Sequence, residues 1–126
     1  MTDETEDDRR ARGLARMNEV YGWESGDFPG DFFAITRDHL FADIWTRDVL
    51  SVPQRRLLLI GMLAAGGRFD VLDIQLDSAL RLGELDEAQL REIVIFVAHY
   101  AGWPTAATLN ARVEQLLAKR AKDAGS

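Results

Sequence analysis

The chain has 126 residues, with 21 acidic against 15 basic side chains and a net charge of −6. That balance provides no clustered cationic surface, so neither nucleic acid nor an anionic membrane is an expected partner. The sequence contains no cysteine, which excludes disulfides, thiolate metal sites and thiol redox chemistry.

The start, MTDETEDDRR, is acidic and polar and resembles neither a signal peptide nor a transit peptide. Residues 1–8 are expected to be a disordered acidic tail, followed by a single all-α domain over residues 9–122. From Arg9 onward, Leu14, Met17 and Tyr21 sit at helical spacing among charges and predict a short amphipathic helix ending near Gly22. Trp23 to Asp27 reads as a loop. A second, aromatic-rich helix is expected from about Pro29, a residue favoured in the first turn, to about Thr46. It carries Phe32, Phe33, Phe41 and Trp45, and its length leaves room for a kink. Trp45 and Phe41 read as core or interface residues.

The centre of the chain is the stretch Ser51 to Gly83. Ser51 is a fair N-cap, with Pro53 in the first turn behind it. Leu57 to Ala65 is apolar all round, which predicts a helix buried on most sides. Phe69, Leu72, Leu76, Ala79 and Leu80 then fall on one face of an amphipathic helix. Gly66-Gly67 is the hinge between the two and Gly83 the exit, so the stretch predicts a helical hairpin. Asp86 and Gln89 form a capping-box pattern that opens a further helix through Leu90, Ile93, Val94 and Val97, with Ile95 and Phe96 on its other sides. Gly102 and Pro104 close it, and a last helix runs from Pro104 to about Lys122. The expected fold is all-α with about six helices.

Two helices that look buried, plus an aromatic-rich one, carry more apolar surface than a chain of this length readily covers alone. A homo-oligomer with large apolar interfaces is therefore expected. The longest apolar run is about half of the ~20 residues that a membrane span requires, and a cytoplasmic protein is the expectation.

The stretch RRLLLIGMLAAGGRFDVLDIQLDSALRLGELDEAQLREIVIFVAHYAGWPTAATLNA resembles the carboxymuconolactone decarboxylase family of the alkylhydroperoxidase-like superfamily. The matching pieces are Ala64-Ala65-Gly66-Gly67-Arg68, Ala79-Leu80 through Gly83, and Glu92-Ile93 through Tyr100-Ala101-Gly102-Trp103-Pro104, with Asp43-Ile44-Trp45 upstream. The resemblance implies a helical, cofactor-free enzyme, commonly a homotrimer or homohexamer, that decarboxylates 4-carboxymuconolactone or a related aromatic-degradation intermediate. The family's peroxidase branch carries a CxxC pair where Arg68 and Val71 stand, and a catalytic Glu where Arg56 stands. Peroxidase chemistry by that route is excluded. The decarboxylase branch usually has Glu at the position of Val71 and His at that of Gln75, whereas Arg68 matches it.

At about 100° per residue, Arg68, Gln75, Ala79 and Leu82 share one side of the hairpin's second helix. Arg68 can hold a substrate carboxylate, and Gln75 a carbonyl or lactone oxygen. An arginine near the developing enolate would also lower the barrier to decarboxylation. The plainer reading is an Arg68 in the first turn of a surface helix, paired with Asp70 or another acidic neighbour. His99 is the candidate general acid or base, with donation to a backbone carbonyl as its structural alternative. His39 stands where the family usually has Tyr. Tyr100 and Trp103, flanking Gly102, are candidate pocket walls. Arg55-Arg56 lies at the helix end unfavourable for cations, which calls for acidic partners or a bound anion. Two histidines without carboxylates at ligand spacing predict no metal site. Two functions follow: an enzyme acting on a small carboxylated substrate through Arg68, Gln75 and His99, or an inactive family member serving as an oligomeric small-molecule binder or scaffold.

Overall fold

A computed structural model describes residues 4–125. Among them are six helices and no strand, as the hydrophobic periodicity predicts. The packing groups the chain into two compact units, one ending at Arg55 and one beginning at Arg56.

In the first unit, α1 spans Glu6–Tyr21. The Thr5 hydroxyl accepts from the Asp8 N–H, and the Asp8 carboxylate accepts from the Thr5 N–H. This reciprocal cap, with Glu6, Asp7 and Asp8 at the positive end of the helix dipole, draws the helix into the segment expected to be a disordered tail. The rest of that tail, residues 1–3, lies outside the described residues. Gly22, at φ 75°, ends α1 in the left-handed conformation.

The aromatic helix begins as α2 (Asp31–Ile35) and continues as a π-helical segment, Thr36–Ile44. At its end the Trp45 N–H donates to the Leu40 carbonyl at 2.9 Å, an i to i+5 bond. The kink allowed by the sequence is thus a change of helical pitch. Side chains take over at the Ala42 carbonyl, which accepts from the Arg12 guanidinium and the Thr46 hydroxyl. Met17 and Val20 of α1 are buried, as are Phe41, Ala42 and Trp45. The Phe41 and Trp45 rings stack at 6.0 Å. At Gly13 a Cβ would stand 2.0 Å from the Arg37 carbonyl oxygen, so glycine permits the close approach of α1 to the π-helical segment.

The second unit holds most of α3 (Val52–Ala65), then α4 (Phe69–Arg81), α5 (Glu87–Ala101) and α6 (Trp103–Ala124). Ser51 and Gln54 cap α3, and Asp86 and Gln89 cap α5, each pair by reciprocal bonds. Gly67 and Gly83, both at φ 73°, turn the chain at either end of α4. The core joins Ile60 and Ala64 to Leu72, Leu76, Leu90, Val94, Leu109 and Val113. The amphipathic face expected for α4 is the face it buries.

Two expectations are corrected here. α3 is not buried on most sides: Arg56, Ile60 and Ala64 form its buried stripe, while Leu57, Leu58 and Met62 are about half exposed. α5 likewise buries Leu90, Val94, Val97 and Ala98 but exposes Ile95 and Phe96. A run that is apolar all round carries no phase, so its composition does not say which side the chain itself covers.

Candidate functional site

The polar centre of the second unit is Arg56, the fifth residue of α3, which is completely buried. Its Nε donates to Glu84 Oε1 at 2.7 Å and its Nη2 to Glu84 Oε2 at 3.1 Å, a two-pronged pairing of guanidinium and carboxylate. Its Nη1 donates to Gln75 Oε1 at 2.7 Å. Gln75 comes from the buried face of α4, and Glu84 from the turn that Gly83 creates. A buried charge is stable only when paired and hydrogen-bonded, and this one is both. The need for an acidic partner at Arg55-Arg56 is met at Arg56 by Glu84. Arg55 instead donates from Nη2 to the Arg47 carbonyl at 3.0 Å.

Arg68 and Gln75 do not meet in a shared cleft. Gln75 points inward to Arg56, whereas Arg68 is exposed just ahead of α4. Helical phase placed both on one side of α4, but Arg68 has left helical geometry, with φ −95° and ψ 65°, so the phase argument fails at that end.

His99, Tyr100 and Trp103 gather around the break at Gly102. His99 Nδ1 lies 2.7 Å from the Ile95 carbonyl oxygen, which makes Nδ1 the protonated nitrogen of the neutral ring. The His99 and Trp103 rings meet edge to face at 5.9 Å. Tyr100 is 83% exposed and packs against Phe96 at 5.0 Å. His39, in the other unit, lies 3.3 Å from Asp43 and is exposed. Among the described residues, no group of three or more His, Cys, Asp or Glu side chains is placed to hold a metal. No helix there is long and apolar enough to cross a membrane.

A groove of about 630 Å³ runs between α3 and α5. Leu57, Leu58, Gly61 and Met62 form one wall and Ile93 and Phe96 the other, with Glu92 the one charged residue in its lining. Sequence reasoning passed over both this groove and Glu84. The exposed half of an apolar helix has no local signature, and Glu84 lies 28 residues from the arginine it neutralises.

A family model described as the carboxymuconolactone decarboxylase family matches residues 30–115. No curated protein and no solved structure gives a significant match.

Proposed function

The chain belongs to the carboxymuconolactone decarboxylase family, and from that premise we propose that it is an oligomeric member that binds a small carboxylated molecule without decarboxylating it. The observation that carries this reading is the bond from Arg56 Nη1 to Gln75 Oε1. By the family resemblance, Gln75 stands at the position of a proton-handling histidine. Here an amide occupies it, turned inward onto a guanidinium. Neither an amide nor a guanidinium exchanges protons near neutral pH, and Val71, at the family's glutamate position, has no proton to give. His99 is exposed and holds its Nδ1 proton against the Ile95 carbonyl, whereas Gln75 is buried.

Arg68 is the carboxylate contact in this reading. It is exposed, permanently charged, and stands at the entry to α4, where the helix dipole also favours an anion. Assembly as a homotrimer or homohexamer follows the family resemblance, and the apolar side chains exposed on α3 and α5 support it.

The test is carbon dioxide release from 4-carboxymuconolactone by the purified protein, with Arg68→Ala beside it, together with calorimetric titration of small dicarboxylates. We expect no release, and dicarboxylate binding that Arg68→Ala weakens at least tenfold. Release that disappears in Arg68→Ala would overturn the proposal and establish the decarboxylase reading, with Arg68 in its site.

A further inference from the structure

Gly61 sits in the middle of α3, where glycine is the poorest helix former after proline. Nothing in its own chain asks for it. Its backbone is not in the left-handed region, and a Cβ built on it would meet no atom within 4 Å. Gly13 is the contrast, since there a neighbouring carbonyl fills the space that a side chain would take. A mid-helix glycine that opens onto empty space on an apolar face leaves a hole for something from outside the chain.

We propose that the α3–α5 face is the surface on which a second copy of this chain seats, with Gly61 as the hole and the Phe96–Tyr100 ring pair as the knob. This rests on the oligomeric part of the function proposed above. Three observations support a second copy as the occupant. The first is area. Leu57, Leu58, Met62, Phe96 and Tyr100 are between 48% and 83% exposed. At roughly 200 Å² for a full side chain they present on the order of 600 Å², so two apposed copies bury about the 1,200 Å² at which stable interfaces begin. The second is reach, because the ring pair extends the apolar surface along α5 past the groove, farther than a small molecule filling the groove would cover. The third is self-complementarity. Phe96 lines the same groove as Gly61 and carries Tyr100 beside it, so knob and hole belong to one patch. A two-fold operation, which a homohexamer contains and a homotrimer does not, pairs such a patch with itself, each copy's rings entering the other's hole. Glu92 is the one charge in the groove lining, so an ionic partner finds little to pair with there.

The experiment is molar mass by light scattering, and self-association constants by sedimentation, for the wild type, Gly61→Leu, Phe96→Ser and Val49→Ser. At Gly61 an added Cβ meets no atom of its own chain within 4 Å, and Gly61→Leu extends a side chain into the groove while replacing a poor helix former with a good one. Its circular dichroism and thermal midpoint should therefore match or exceed those of the wild-type monomer. We expect Gly61→Leu and Phe96→Ser each to weaken self-association at least tenfold. Val49→Ser, which removes an exposed apolar side chain elsewhere, should leave it unchanged. A wild-type protein that stays monomeric would overturn the proposal together with the oligomeric reading. A wild-type oligomer that survives Gly61→Leu intact would overturn this face alone, leaving the groove to a small apolar molecule and the oligomer to another surface.

Discussion

Arg56 and Glu84 lie 28 residues apart in sequence and are locked by two hydrogen bonds, of 2.7 and 3.1 Å, with the arginine wholly buried. The pair ties the start of α3 to the turn after α4, and through Gln75 to the middle of α4. Removing one partner strands a charge in the interior, which typically costs about 3–5 kcal/mol, whereas replacing both with apolar groups can be close to neutral. Glu84→Ala and Arg56→Met are therefore each expected to lower the urea midpoint strongly. The double variant Arg56→Met/Glu84→Met should recover a large part of the loss. A double variant as unstable as the sum of the two singles would show that the pair is not coupled in this way.

How much of this was readable beforehand varied with how local the cause is. The stripe Phe69, Leu72, Leu76 and Ala79 gave the buried face of α4, because helical periodicity is a property of the segment itself. Arg56 was half legible: a cation in the first turn of an apolar helix signals a partner, but nothing in the spacing points to Glu84. The π-helical stretch was not legible. It closes with the Ala42 carbonyl held by Arg12, 30 residues away, and no local pattern encodes that contact. The start of α1 is not legible either, because Thr5 and Asp8 have the composition of a charged tail and only their reciprocal bonds make them a cap.

Acid should loosen the first unit. The Arg37 guanidinium donates to Asp38 from Nε at 2.5 Å and from Nη2 at 2.9 Å, and that bonding holds the Asp38 carboxyl below its ordinary value. A carboxylate whose folded-state value is depressed contributes stability that is present above its unfolded value of ~4 and is lost as pH falls through the folded value. Glu4, bonded to Arg12, is shifted in the same direction. Thermal melts should show little change between pH 7 and 5 and a falling midpoint below pH 4. The gap between the wild type and Asp38→Asn should shrink over that lower range. A gap that widens as pH falls would contradict the sign.

The cap on α5 should have an ordinary worth. The Asp86 carboxylate accepts from the Gln89 N–H at 2.8 Å, and the Gln89 side-chain oxygen accepts from the Asp86 N–H at 2.9 Å. Asp86→Ala removes one half of this exchange and an anion from the positive end of the helix, at a cost of about 1 kcal/mol. Asp86→Asn, which keeps the acceptor, should recover most of it. Equal losses in the two variants by chemical denaturation would point to charge rather than capping as the source.

Gly13 is the position where the smallest change should do the most harm to the first unit. Alanine is the better helix former by about 1 kcal/mol, so on an open helix face Gly13→Ala would stabilise. Here the added Cβ would stand 2.0 Å from the Arg37 carbonyl oxygen and 2.8 Å from its carbon, both backbone atoms that cannot rotate away. The crossing has to open, separating α1 from the segment that buries Phe41, Ala42 and Trp45. Overpacking of this kind costs about 1–3 kcal/mol, enough to reverse the propensity gain. Amide hydrogen exchange should accordingly quicken across Met17–Val20 and Thr36–Trp45 in Gly13→Ala while α4 and α6 keep their protection. Unchanged exchange in α1 would mean that the crossing takes up the added methyl without opening.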